Sequence, residues 1–116
     1  MSKVLVVEDE AEVRELISST LSIKGFDIVE AMDAEAGLEA FKEHKPNIVL
    51  TDINMPGSNG LWLIDAIRKI DTVTPIIVIS GLPEVREKTL KMRVNAFLLK
   101  PFKAASLVVT VNRVST

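Results

Sequence analysis

The sequence predicts an α/β fold of the doubly wound type, in which five parallel strands alternate with five helices, (βα)5. Short β-branched runs that are apolar on both faces recur along the chain, as buried parallel strands require. Segments with a helical apolar period separate them, the pattern of crossover connections. At 116 residues and 47% hydrophobic content, the chain fills one core and leaves nothing for a second. A single domain spanning residues 1–116 is expected.

The first strand is KVLVV, Lys3 to Val7. The others are FDIVE (Phe26 to Glu30), NIVLT (Asn47 to Thr51), PIIVIS (Pro75 to Ser80) and AFLL (Ala96 to Leu99). Val13, Leu16, Ile17 and Leu21 form one stripe of the first helix, and Gly25 supplies its C-terminal stop. Asp33 caps the second helix, which buries Leu38 and Phe41. The third puts Leu63, Ile64, Ile67 and Ile70 on one face, with Trp62 off that stripe at the surface. Pro83 opens a fourth helix of poor amphipathicity. Val85 and Met92 share one side, while Leu90 and Val94 point nearly opposite and are candidate partner contacts, the plainer alternative being a different helix register. The fifth helix, near Ala104 to Val114, is rich in valine and must be held by packing. Right-handed crossovers place helices on both faces of the sheet, and ligands in such folds bind at the carboxyl ends of the strands.

Composition excludes several function classes. With 14 Lys and Arg against 16 Asp and Glu, the net charge of −2 creates no overall field for nucleic acid or an anionic membrane. The absence of cysteine removes disulfides, thiolate metal sites and thiol chemistry. The apolar stretch at the N-terminus is too short for a signal peptide or a membrane span. A cytoplasmic protein without direct nucleic-acid or membrane binding is expected.

The polar residues that end the strands carry the chemistry. Glu8 and Asp9 follow the first, Asp52 the third, Ser80 ends the fourth and Lys100 follows the fifth, so all belong to one rim. Carboxylates crowded there repel one another unless a cation sits among them. Oxygen ligands without His or Cys suit a hard ion, Mg²⁺ above all. A divalent cation, a lysine and a small hydroxyl around one aspartate are fitted to stabilise a phosphoryl group, with Asp52 attacking phosphorus to give an acyl phosphate.

Each residue also has a plainer role. Asp9 with Glu12 reads as a helix capping box. Glu8 reads as a solvated strand end, Asp52 as an Asx-turn residue, Ser80 as a turn hydroxyl and Lys100 as a surface lysine. Five apt residue types on one rim favour the site. Pro101 restricts Lys100 to an extended conformation and makes a cis Lys100–Pro101 bond possible.

The ordered set "VLVVEDE", "VLTDINMPGSNG", "IIVIS" and "FLLKPF" resembles the receiver domain of bacterial response regulators, chemotaxis-regulator-like, along essentially the whole chain. The resemblance implies a flavodoxin-like sheet of order 2-1-3-4-5. It implies that Asp52 accepts phosphate from a histidine kinase or histidine phosphotransfer protein, the domain catalysing its own Mg²⁺-dependent phosphorylation and dephosphorylation. Asp9 would bind Mg²⁺ directly and Glu8 through water, with Asp52 and the backbone carbonyl of Asn54 as further ligands. Ser80 matches the switch hydroxyl, Lys100 the lysine that pairs with phosphate, and Phe97 the switch aromatic, for which a plain core role competes. The fourth helix, fifth strand and fifth helix would form the face that regulates a partner or output domain. Asn54 and Leu82 occupy the positions that tune phosphate lifetime, and an apolar Leu82 cannot orient the attacking water. The stretch from Ser80 to Lys100 is about two residues shorter than the family pattern. There "RVNAF" stands, and Asn95 is the expected left-handed turn residue.

Two other classes stay open at this point: an interaction module that keeps the fold without the reaction, and a phosphohydrolase using an aspartyl intermediate. Asn54, where the latter would need a second acid, counts against it. No glycine-rich phosphate loop follows the first strand, which disfavours a nucleotide-binding fold.

Overall fold

Parallel pairing of the five apolar runs sets the architecture. In a computed structural model, which describes residues 2–55 and 58–115, the strands are β1 (Lys3–Val7), β2 (Asp27–Ala31), β3 (Ile48–Asp52), β4 (Ile76–Ser80) and β5 (Ala96–Leu99). They form one parallel sheet of order β2-β1-β3-β4-β5, as expected. Pro56 and Gly57, in the loop after Asp52, lie outside the described residues. The chain on either side of them forms a small antiparallel ladder pairing Asn54 with Asn59 and Met55 with Ser58.

The period of two along each strand divides the core between the two faces of the sheet. Leu5, Val7, Val49, Ile76 and Val78 face α2 (Ala34–His44) and α3 (Gly60–Ile70), meeting Phe41, Leu63, Ile64 and Ile67. Val4, Val6, Ile48, Leu50, Ile77 and Ile79 face α1 (Ala11–Ile23) and α5 (Ala104–Ser115), meeting Ile17, Leu21, Leu107 and Val111. Burial on both sides explains why these strands read as continuous apolar runs. Asp33 caps α2 by accepting the Ala36 N–H at 2.8 Å, and Gly25 takes φ 95° where α1 ends, both as expected. The Lys100–Pro101 peptide is cis.

Several expectations need correction. β3 begins and ends one residue later than its apolar run, because the Asn47 side chain accepts the Lys3 N–H at 2.8 Å while Asp52 pairs with Ile79. Leu16 and Ile70 are exposed at 49% and 54% although they continue stripes that are otherwise largely buried, so each marks the edge of its stripe. Ile70 instead borders an open cleft with Phe41 and Val73. Trp62 is exposed, as its position off the stripe requires.

The fourth helical segment departs most. Pro83–Val85 form a 3-10 turn and α4 covers only Arg86–Leu90. The left-handed residue that ends this region is Arg93 (φ 63°), not Asn95, and Val94 drops into the core instead of lying outward. Leu90 remains exposed. Asn95 serves through its side chain, which accepts from the Ile76 N–H at 3.0 Å and from Arg68 at 3.3 Å. Arg68, almost buried on α3, also donates to the carbonyls of Arg93 (2.8 Å), Asp71 (3.1 Å) and Thr74 (2.9 Å) and so fixes the loops that lead into β4 and β5.

Gly60 starts α3 directly against the end of β3. A Cβ there would stand 2.3 Å from the Asp52 carbonyl oxygen and 2.6 Å from Ile53 Cα, backbone that cannot yield locally. Gly60→Ala is therefore expected to destabilise the fold by roughly 1–3 kcal/mol, read as a lower urea midpoint. Gly81→Ala, whose Cβ would meet only Lys100 Cβ at 3.9 Å, should leave that midpoint nearly unchanged.

Candidate functional site

Strand register brings the polar residues to one level. Val7 is opposite Thr51, Asp52 opposite Ile79 and Ser80 opposite Leu99, so Glu8, Asp52, Ser80 and Lys100 emerge together at the carboxyl rim. Glu8 (1% exposed), Asp52 (5%) and Ser80 (0%) are buried there.

Lys100 joins the acids. Its Nζ lies 2.7 Å from Asp52 Oδ2 and 2.9 Å from Glu8 Oε1, with the exposed Glu10 carboxylate at 3.8 Å. The second oxygen of each buried acid accepts a backbone N–H: Asp52 Oδ1 from Asn54 at 3.1 Å and Glu8 Oε2 from Glu10 at 3.2 Å. Asp9 is half-buried, and its carboxylate has no hydrogen-bond or ion-pair partner among the described residues. Yet oxygens of Glu8, Asp9 and Asp52 lie within 4.8 Å of one another.

The plainer roles divide. The N-cap of α1 is Glu10 without a side-chain cap, so the Asp9–Glu12 capping box does not form. Glu8 is not a solvated strand end and Lys100 is not a free surface lysine. Asp52 does make the Asx-type bond to Asn54, and Ser80 Oγ does accept the Leu82 N–H at 3.0 Å as a turn hydroxyl. For both residues the turn role coexists with a place at the rim. Half-buried Phe97 packs on the α2–α3 side of the core and borders a cleft of about 270 Å³ with Pro83, Arg86 and Leu99. Glu10, which no strand-end pattern singles out, joins the cluster through its carboxylate, 3.8 Å from Lys100 Nζ.

Three carboxylates against one ammonium leave excess negative charge. Burial, with the nearby Asp52 charge, pushes the Glu8 carboxyl up to about 7, against the lowering effect of its bond to Lys100. For Lys100, burial alone would lower the ammonium, but the hydrogen bonds and charges of Asp52 and Glu8 outweigh it and hold it above its ordinary value. An all-oxygen donor set, one member of it unpartnered, fits a hard divalent cation.

A doubly wound sheet with this acid and lysine cluster at its rim has the architecture of CheY-like receiver domains. A family model for the response regulator receiver domain matches residues 4–112, and the chain belongs to that family, the receivers of two-component signalling. It is 36% identical over 107 residues to the probable transcriptional regulator ycf27 of Porphyridium aerugineum, covering 90% of this chain and 44% of that one. It is 32% identical over 111 residues to the transcriptional regulatory protein PrrA of Mycobacterium tuberculosis, covering 94% and 48%. The chain thus spans less than half the length of these curated relatives. The receiver domain of NtrX from Brucella abortus superposes with a TM-score of 0.92 at 34% identity, covering 97% of both chains. The chemotaxis response regulator CheY4 of Vibrio cholerae gives 0.91 at 29%, covering 98% of both. Among the described residues no helix is long and apolar enough to cross a membrane.

The elevated Glu8 value sets a sign. Because the folded state holds this proton more tightly than the unfolded chain, the contribution is fully present below pH 4.5 and is lost as pH rises through about 7. In EDTA, the stability of the wild type relative to Glu8→Gln should fall by on the order of 1–3 kcal/mol across that window and level off above it. Urea unfolding of both proteins over the pH range reads the difference.

Proposed function

We propose that this receiver domain accepts a phosphoryl group on Asp52 from a histidine kinase or histidine phosphotransfer protein, and thereby switches the α4-β5-α5 face. The observation that carries the reading is Lys100 bridging Asp52 and Glu8 beside the unpartnered Asp9. An Asp52 carboxylate oxygen attacks phosphorus, the bond from phosphorus to the donor imidazole nitrogen breaks, and that nitrogen leaves with the electron pair and takes up a proton. Lys100, already within hydrogen-bond distance of Asp52, pairs with the incoming phosphoryl oxygens. The Asn54 N–H holds the other Asp52 oxygen and orients the nucleophile.

Glu8, Asp9, Asp52 and the backbone carbonyl of Asn54 would hold Mg²⁺, Glu8 through water. When bound, the ion supplies positive charge that offsets the phosphoryl oxygens and the crowded acids. Ser80 would exchange its bond with the Leu82 N–H for one to the phosphoryl group. Phe97 would then shift beside the cleft it borders with Arg86 and Leu99, which links the rim to α4 and β5. The exposed Leu90 on α4 extends that face toward an output domain or a separate partner. The names of ycf27 and PrrA, as transcriptional regulators, favour control of transcription through a further domain.

Incubation with acetyl phosphate and Mg²⁺ should add one phosphoryl group by intact mass. Asp52→Asn or EDTA should abolish it. No adduct, together with no response to beryllium fluoride, would instead make the domain a phosphate-independent interaction module. Leu82, 41% exposed at the start of the 3-10 turn, offers no group to orient a hydrolytic water. Leu82→Glu is expected to shorten the lifetime of the phosphorylated form several-fold, followed by loss of the mass adduct; an unchanged lifetime contradicts this role.

A further inference from the structure

We propose that Arg14 is a positioning residue for the acidic pair, fixing the main chain at Glu8 so that the Glu8 and Asp9 carboxylates face Asp52. The inference rests on the phosphoacceptor reading above. Arg14 lies one turn into α1 with its side chain only 14% exposed. Its Nη1 donates to the Glu8 carbonyl oxygen at 2.8 Å. Its Nε lies 3.9 Å from Glu30 Oε1, and Glu30 Oε2 accepts the Ser18 hydroxyl at 2.5 Å. One guanidinium thus connects the end of β1, the end of β2 and the body of α1.

The location of these bonds gives them their consequence. The Glu8 N–H is tied to β2 through the Ala31 carbonyl at 3.0 Å, and the Glu8 carbonyl, the last anchored before the chain leaves the sheet, is tied by Arg14. The Asp9 carboxylate has no partner among the described residues, so its direction is set by the peptide that precedes it. The Glu10 N–H that holds Glu8 Oε2 belongs to the next peptide along the same turn. A guanidinium suits the task because its nitrogens are held apart in one rigid plane, so Nη1 addresses the carbonyl while Nε faces the carboxylate. Removing Arg14 would leave the contacts of Lys100 with Asp52 and Glu8 in place while loosening the turn that carries Asp9.

The test compares Arg14→Met and Arg14→Lys with the wild type. MgCl₂ binding is measured by calorimetry, acetyl phosphate rates are taken over a range of Mg²⁺, and amide hydrogen exchange at Glu10 is followed without metal. Arg14→Met should bind Mg²⁺ about 10-fold or more weakly, the usual cost of losing a group that orients a metal ligand. Its phosphorylation rate should recover at saturating Mg²⁺, its Glu10 amide should exchange faster, and Arg14→Lys should fall between. Mg²⁺ affinity and Glu10 exchange that match the wild type would overturn the proposal, as would a rate loss that saturating Mg²⁺ does not restore. A wild type that binds no Mg²⁺ would overturn the phosphoacceptor reading and this proposal with it, whereas matched affinities in wild type and Arg14→Met overturn only the role of Arg14.

Discussion

Lys100 reaches Asp52 and Glu8 from the end of β5, across the width of the sheet, and the rim is organised around that one ammonium. Two carboxylates with almost no solvent exposure would otherwise confront each other at low dielectric, where desolvation and repulsion both favour protonation. The contact also ties β1, β3 and β5 together at one end. A single positive charge is still too little for three acids: the Glu8 carboxyl stays raised, and Asp9 goes unpaired among the described residues. The site is stable enough to fold and electrostatically incomplete, a state in which an added cation has a defined role.

The sheet supplies the remaining constraint. Strands that pair in register deliver their last residues to the same level, so a carboxylate, a hydroxyl and an ammonium far apart in sequence reach one rim without any long loop to order. Gly60 permits α3 to start against the Asp52 main chain, so the element that covers one face of the core also braces the end of the central strand. Packing and site geometry therefore share the same backbone.

The strands were legible because burial on both faces leaves uninterrupted β-branched runs, which little else in a short chain produces; their order followed only from the resemblance, since an apolar run does not state its own place in the sheet. The rim residues were legible for a related reason: a polar residue ending such a run is conspicuous. Helix period located the buried faces but not their edges, so Leu16 and Ile70 were assigned inward although both are exposed. The periodic reading continued α4 through Val94, whereas the left-handed turn at Arg93 ends it and turns Val94 into the core. Arg14 and Arg68 were invisible because their partners are largely backbone carbonyls, and carbonyls leave no trace in the identity of the residue that bears them. Glu10 enters the cluster through the path of a turn, which composition does not encode.

The central claim is that the rim is electrostatically incomplete: three carboxylates share one ammonium, and burial with the Asp52 charge holds the Glu8 carboxyl above its ordinary value. Calorimetric titration with MgCl₂ at pH 7, in two buffers of different ionisation enthalpy, counts the protons displaced by the ion. With the Glu8 carboxyl raised, Mg²⁺ binding should release protons from the wild type and clearly fewer from Glu8→Gln. Mg²⁺ binding without proton release in the wild type, or with the same release in Glu8→Gln, would contradict the account.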